Sequence, residues 1–186
     1  MPRRYPLPKL WLMTDERQGE ALWRALKRLP RGSGVIIRHY SLSPAERRRL
    51  IESIRTLARV RRLVLILADA PEKPIEPRKV DGAYGTRTSH PGFNLAPAHN
   101  LREIRRAERD GADLLLLSPL FATRSHPEAS ALGPARFAGL AHATRLPVVA
   151  LGGVNARRHD LVKRIGAYGW AGIDAFIGAG ASQFRT

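Results

Sequence analysis

The sequence predicts an α/β fold: a single (β/α)₈ TIM barrel over residues 1–186, shortened in the middle of the chain. Short β-rich runs alternate with helical patterns, which is typical of βα units with a parallel sheet. Eight strands can be counted, and 44% hydrophobic residues can fill the core of one domain. An open doubly wound sheet is the alternative, but no G-x-G-x-x-G dinucleotide motif follows the first strand.

The first three strands are predicted from apolar runs at residues 10–13, 35–37 and 63–67, each followed by polar residues. Apolar residues at helical spacing predict a helix between the first two strands. The second helix begins with a capping box formed by Ser43 and Glu46, with Pro44 at the first helical position.

The middle of the chain is predicted to have reduced or absent helices after strands three and four. Three prolines lie between Asp69 and Asp81, and a proline inside a helix costs about 3 kcal/mol. Residues 81–84 predict a weak fourth strand and residues 93–98 the fifth. Such a loss explains why the chain is shorter than the roughly 250 residues typical of this barrel.

The C-terminal part resumes the alternation, and a continuous apolar run indicates a strand that is buried on both faces. The predicted elements are a helix capped by Asn100, strand 114–117, helix 135–143, strand 148–151, a helix capped by Asn155 and closed by Gly166, and strand 170–177.

The formal net charge of +16 favours anionic ligands, and most of the excess is arginine, which binds phosphate well. Aromatic residues make up only 6% of the chain and do not alternate with basic ones, which is poor for stacking on bases. Nucleic acid is therefore not expected to be the main partner.

The absence of cysteine excludes disulfides, thiolate metal sites and a cysteine nucleophile. No apolar run approaches the roughly 20 residues of a membrane span, and the N-terminus lacks the apolar region of a signal peptide. We therefore expect a cytoplasmic protein with no membrane partner, and a homo-oligomer is compatible with the sequence.

Polar residues concentrate where the predicted strands end, which is the active-site end of such a barrel. These residues are Thr14, Asp15, Arg38, His39, Asp69, Tyr84, His99, Ser118, Thr123, Ser125, His126, Gly152, Gly153 and Asp174. Gly152-Gly153 follows strand seven, where glycines let backbone N–H groups approach a phosphate, and Gly178-Ala179-Gly180 after strand eight can complete that site. The alternative for the first pair is a tight turn.

Several segments, taken in order, resemble the thiamine phosphate synthase / thiazole tautomerase family. Residues 11–15 (WLMTD) resemble its opening strand, and residues 118–126 (SPLFATRSH) after Gly111-Ala112-Asp113 are similar to its "GAD…GPxFxTxSK" segment. Residues 132–133 (LG), 147–154 (PVVALGGV) and 166–169 (GAYG) are similar to its "LG", "PVVAIGGI" and "GADG". The resemblance covers essentially the whole chain.

The resemblance implies one of two chemistries. Synthases join a pyrimidine methyl diphosphate to a thiazole phosphate, using Mg²⁺ and basic residues that help diphosphate leave. Tautomerases isomerise a thiazole carboxylate phosphate by proton transfer without a metal. On the synthase pattern Arg38 is a catalytic residue and Asp69 a Mg²⁺ ligand.

The chain departs from the synthase pattern around strands three to five. His39 and Tyr40 replace the glutamate and lysine of "QLREK", Ala68 replaces the asparagine of "ND", and residues 84–89 (YGTRTS) replace "HLGQED". Mg²⁺ usually takes one or two carboxylates with substrate oxygens. Only one family ligand is kept, so the Mg²⁺ expectation depends on Asp69 alone.

The thiazole-phosphate half matches the family better. Its candidate phosphate- and substrate-binding residues are Thr123, Ser125, His126, Gly152, Gly153 and Asp174. His99 matches the acid/base histidine of the tautomerases, and imidazole suits proton transfer near neutral pH; a structural hydrogen bond is the alternative. Three functions stay open: a synthase, a tautomerase, and a catalytically degenerate barrel that binds a phosphorylated ligand.

Overall fold

A computed structural model describes residues 6–68, 80–85, 90–123 and 130–177. Eight parallel strands form a closed barrel in chain order, and β1 pairs with both β2 and β8. The strands are β1 Leu10–Met13, β2 Gly34–Ile37, β3 Val64–Ala68, β4 Gly82–Tyr84, β5 Phe93–Ala98, β6 Leu114–Leu117, β7 Val148–Ala150 and β8 Gly169–Gly172. The predicted (β/α)₈ barrel is confirmed.

Helices cover the outside of the barrel in the described part of the chain. They are α1 Gly19–Arg28, α2 Pro44–Arg61, α3 Leu101–Arg109, α4 Gly133–His142 and α5 His159–Arg164. Short 3₁₀ helices lie at Glu16–Gln18, Ala156–Arg158 and Asp174–Phe176. None of the described helices is long and apolar enough to cross a membrane.

The middle of the barrel was predicted to have reduced or absent helices after strands three and four. No helix occurs between β3 and β5 in the residues described there, 80–85 and 90–92. Residues 69–79, which would hold a helix after β3, lie outside the described residues. The weak fourth strand is present, because Gly82–Tyr84 pairs with β3 on one side and β5 on the other.

Two hydrophobic clusters follow from the two-residue alternation of side chains along each strand. Residues such as Trp11, Ile66 and Leu95 form a cluster inside the barrel, whereas Leu12, Leu65 and Ala96 join one between barrel and helices. Trp11 is fully buried, and its Nε1 donates to the Pro8 carbonyl oxygen at 2.8 Å. The interior is therefore a packed core below the strand ends.

Capping residues set the starts of two helices as predicted. The Ser43 side chain accepts a hydrogen bond from the backbone N–H of Glu46, and the Glu46 side chain accepts one from the Ser43 N–H. The Asn100 side chain accepts from the Glu103 N–H at 3.0 Å. The helix after Asn155 starts as the 3₁₀ turn Ala156–Arg158 before α5.

The prediction for the eighth strand was too long. β8 ends at Gly172, and Asp174–Phe176 forms a 3₁₀ helix. The turn returns Phe176 to the core, where its ring stacks on Trp170 with centroids 5.4 Å apart. The apolar run of residues 170–177 therefore reflects burial in two different elements.

Candidate active site

A cavity of about 340 Å³ opens at the carboxyl ends of the strands. Its lining comes from the ends of seven strands: Met13, Arg38, Tyr40, Tyr84, Pro97, His99, Ser118, Pro119, Thr123, Leu151, Gly152, Gly153, Val154, Ala171, Gly172, Ile173, Asp174 and Ala175. The volume lies in the range of small-molecule sites. The barrel thus gathers strand-end residues that are far apart in sequence around one ligand-sized space.

Arg38 lies on the cavity wall in a fixed position. Its Nε donates to the Thr14 carbonyl oxygen at 3.0 Å, and its Nη2 forms an ion pair with the Asp15 carboxylate. Arg17 also binds Asp15, at 2.8 Å. Burial raises the pKa of Asp15, but hydrogen bonds from Arg17 and the charges of Arg38 and Arg17 outweigh it, so that pKa is lowered. Asp15 is therefore ionised and offsets part of the charge that Arg38 presents.

His39 and Thr14 form a buried support behind Arg38 and do not line the cavity. The His39 Nδ1 lies 3.0 Å from the Thr14 hydroxyl, which accepts a hydrogen bond from the Arg38 backbone N–H at 3.1 Å. Burial lowers the pKa of His39 below its ordinary value. The ring is thus held neutral, with its backbone at a positive φ of 44°.

Two tyrosines face the cavity from the ends of β2 and β4. Tyr40 is exposed and has the Arg47 guanidinium 5.9 Å from its ring centroid. Burial raises the pKa of Tyr84, so its hydroxyl stays protonated. Arg47 is itself buried and donates to the carbonyl oxygens of Arg38 and Ala68, which ties the ends of β2 and β3 together.

His99 lies at the rim with a carboxylate partner. Its Nδ1 is 2.8 Å from the Glu103 Oε2, which also accepts from the His99 backbone N–H. Burial raises the pKa of Glu103, but the hydrogen bonds from His99 and Asn100 outweigh it and the pKa is lowered. The ionised carboxylate therefore orients the imidazole, an arrangement suited to an acid/base histidine and equally to a structural one.

The turn after β7 presents backbone donors. Gly152 and Gly153 have φ of 97° and 62°, and among the described residues the N–H groups of Gly152, Gly153 and Val154 have no acceptor. All three residues line the cavity. Successive free N–H groups in such a turn form a concavity for anions. The tight turn also has a packing reason, because a Cβ on Gly152 would come within 2.7 Å of Pro119.

The structure brings most of the predicted site residues together. Arg38, Tyr84, His99, Ser118, Thr123, Gly152, Gly153 and Asp174 all line the cavity. Asp174 does so from the 3₁₀ helix after β8 rather than from a strand. Asp69, Ser125, His126 and residues 178–180 lie outside the described residues, and the role of every candidate stays a prediction.

Sequence reasoning missed the rest of the lining, which is mostly apolar: Met13, Tyr40, Pro97, Pro119, Leu151, Val154, Ala171, Gly172, Ile173 and Ala175. The signal for Met13 and Leu151 was available, because strand residues that point inward alternate with those that point to the helices. Pro119 and Ala175 carry no comparable signal, since Pro119 lies in the loop after β6 and Ala175 in the short 3₁₀ helix after β8.

Within the described residues, no group of three or more His, Asp or Glu could hold a metal ion. Asp15 is engaged with two arginines, and Glu103 with His99 and Asn100. These residues alone therefore do not fit a Mg²⁺ site, and its predicted ligand Asp69 is outside them.

Comparison with known proteins shows the family to which the chain belongs. A family model described as "Thiamine monophosphate synthase" matches residues 96–176. A protein of Aquifex aeolicus named "Putative thiamine-phosphate synthase 2" is 30% identical over 187 aligned positions, which cover 92% of this chain and 98% of that protein. The chain belongs to the thiamine-phosphate synthase family.

Other similar proteins carry the same name, and thiamine-phosphate synthases are transferases. A thiamine-phosphate synthase of Chloroflexus aurantiacus is 41% identical over 83 residues, 44% of this chain and 38% of that protein. The solved thiamine phosphate pyrophosphorylase of Pyrococcus furiosus superposes with a TM-score of 0.74 at 23% identity, over 94% of this chain and 90% of that one. This likeness supports the barrel fold.

Proposed function

We propose that this chain is a thiamine-phosphate synthase, which joins a hydroxymethylpyrimidine diphosphate to a thiazole phosphate with release of diphosphate. The observation that carries the proposal is the row of three N–H donors at Gly152, Gly153 and Val154 on the wall of the strand-end cavity, in a chain of this family. The donors suit the phosphate ester of the thiazole. Thr123, which lines the same cavity, supplies a hydroxyl.

Arg38 is the described cation best placed for the diphosphate half. It lines the cavity from the end of β2, whereas the Gly152–Val154 turn follows β7, and its guanidinium is held by Thr14 and Asp15. A preorganised cation stabilises charge that develops on a leaving group. Asp69 would hold a Mg²⁺ ion, which would supply further positive charge for the diphosphate, but the described residues do not form such a site by themselves.

The direct test supplies purified protein with both phosphorylated substrates and Mg²⁺ and measures thiamine phosphate by chromatography. Product above that of a heat-denatured control is expected. Gly153→Ala should raise the KM for thiazole phosphate by about tenfold, because its positive φ and a Cβ 2.8 Å from the Ala122 carbonyl oxygen would distort the turn.

The matched control is Gly139→Ala, since a Cβ at that exposed helical position meets nothing within 4 Å. It should leave the KM unchanged. Absence of thiamine phosphate with the wild-type protein would rule out the synthase. If the protein still bound thiazole phosphate, it would be a degenerate phosphate-binding barrel.

Thiazole tautomerase activity is the second candidate, and the His99–Glu103 pair favours it. The imidazole reaches the cavity while Glu103 fixes its Nδ1 side, which leaves Nε2 to exchange a proton. The prediction is metal-independent isomerisation of a thiazole carboxylate phosphate. His99→Gln should abolish turnover with ligand affinity within about twofold, and an unaltered rate in this variant would reject the assignment.

A further inference from the structure

The side chain of Arg158 joins the two loops that follow β6 and β7. Its Nη1 donates to the Gly153 carbonyl oxygen at 2.6 Å, and its guanidinium carbon lies 4.0 Å from the centroid of the Phe121 ring. The first contact is a short charge-assisted hydrogen bond, and the second is a close cation–π contact. One exposed arginine therefore contacts both loops at once.

The backbone of Arg158 is itself fixed. It ends the 3₁₀ helix Ala156–Arg158, whose first turn is capped by the Asn155 side chain through a hydrogen bond from the Arg157 N–H. The Arg158 N–H donates to the Asn155 carbonyl oxygen at 3.0 Å. The guanidinium thus extends from an ordered turn to the Gly153 carbonyl.

The two loops are also joined by backbone hydrogen bonds, but these bonds do not include the Gly153 carbonyl. The N–H groups of Leu120 and Phe121 donate to the carbonyl oxygens of Leu151 and Gly152 at 2.8 and 3.0 Å. The carbonyl of the next residue, Gly153, accepts from the Arg158 side chain. The last peptide of the turn is therefore held by Arg158 rather than by the neighbouring loop.

Peptide geometry connects this contact to the anion site. In a trans peptide the carbonyl and the following N–H point in opposite directions. A Gly153 carbonyl held toward Arg158 therefore directs the Val154 N–H away from it, and Val154 lines the cavity whereas Arg158 does not. The Phe121 stack acts on the other loop, which leads to Thr123 on the cavity wall.

We propose that Arg158 is a positioning residue for phosphate binding: it does not touch the ligand but orients the Val154 N–H and holds the Gly152–Val154 turn against the Thr123 loop. The proposal rests on the proposed phosphate site. Because Arg158 lies outside the cavity, we expect phosphate affinity to depend on the geometry of its two contacts more than on its charge.

The test compares Arg158→Gln, Arg158→Lys and Arg157→Gln by calorimetric titration with inorganic phosphate and with thiazole phosphate. Arg157→Gln is the matched control, because Arg157 is an exposed neighbour on the same turn and its substitution removes the same charge. Both Arg158 variants should weaken phosphate affinity by about tenfold, since lysine lacks the planar face and fork of arginine. Arg157→Gln should stay within about twofold of the wild type.

Two results would overturn the proposal. Equal affinities for Arg158→Gln and Arg157→Gln would leave Arg158 without an effect of its own. Wild-type affinity in Arg158→Lys would make the effect one of charge alone. For a synthase, Arg158→Gln should also raise the KM for thiazole phosphate with a smaller change in kcat, whereas a merely destabilised variant would lose active protein and hence apparent kcat.

A ligand-free measurement separates this proposal from the proposed function. Amide NMR signals of Gly152, Gly153 and Val154 should shift or broaden in Arg158→Gln and remain in place in Arg157→Gln. If the wild-type protein bound no phosphate, the proposed function would be wrong. The amide signals would still show whether Arg158 holds the turn. Unchanged signals in Arg158→Gln would refute the positioning role.

Discussion

His39 shows how one buried side chain can make folding depend on pH near neutrality. It is 8% exposed, and the carboxylates of Glu16 and Asp15 only partly offset the effect of burial on its pKa, which Arg38 and Arg47 lower further. The folded protein therefore keeps the ring neutral at pH values where the unfolded chain, with a pKa of about 6.5, is protonated. At those pH values the unfolded state binds more protons than the folded state. The contribution of His39 to the free energy of unfolding is therefore complete above the pKa of the unfolded chain and is lost as pH falls toward the lower pKa of the folded state.

The corresponding prediction concerns His39→Asn. Asparagine tolerates the positive φ and can still bond to Thr14, but it does not titrate. The loss of stability between about pH 7 and pH 5 should become shallower than in the wild type, by at most about 1.4 kcal/mol per pH unit for one proton. Urea unfolding at several pH values measures it. His142→Asn, at an exposed ring, is the control, and identical slopes in wild type and His39→Asn would contradict the prediction.

At the scale of elements, helix α2 is the support of the β2 and β3 ends. Its first turn carries Arg47, which bonds to the carbonyl oxygens of Arg38 and Ala68, and its start is fixed by the Ser43–Glu46 capping box. Loss of the cap should therefore weaken the helix at the turn that reaches the cavity wall.

We predict that Ser43→Ala lowers the free energy of unfolding by about 1 kcal/mol, the usual value of an N-cap. Urea denaturation followed by circular dichroism measures the change. Ser53→Ala is the matched control, since Ser53 is exposed within α2 and alanine there should be neutral or slightly stabilising. Equal stabilities of the two variants would mean that the cap contributes nothing.

Helix and strand ends could be predicted from the sequence where nearby residues determine them, and could not where contacts between distant parts of the chain determine them. The capping residues Ser43 and Asn100 and the glycine turn at Gly152 carry their own conformational signature. The end of β8 does not, because residues after Gly172 remain apolar while the chain turns to stack Phe176 on Trp170. The contact of Arg158 with Phe121 also has no local signal, since it depends on two loops meeting in space.

The whole molecule is a ring of strands closed by the pairing of β1 with β8. Two of its three tryptophans lie in this ring, Trp11 in β1 and Trp170 in β8, and the third, Trp23, lies in α1. A barrel whose first and last strands are hydrogen-bonded to each other has no edge at which part of the sheet can separate cheaply. The single domain over residues 1–186 is a prediction that unfolding can test.

We predict one cooperative unfolding transition in urea, with the same midpoint by tryptophan fluorescence and by far-ultraviolet circular dichroism. Fluorescence reports the surroundings of the tryptophans, two of which lie in the paired strands β1 and β8, whereas circular dichroism reports all helices and strands. Two separate midpoints, or a plateau between them, would contradict a single folding unit.

The Trp11 ring inside the barrel limits how deep the cavity can reach. It is fully buried and lies one level below Met13, which lines the cavity. The space inside the strands is thus already filled by side chains, and a ligand of this cavity contacts the strand ends and the loops that follow them. Selectivity among ligands can therefore change through substitutions in those loops while the packed interior, which stabilises the fold, stays the same.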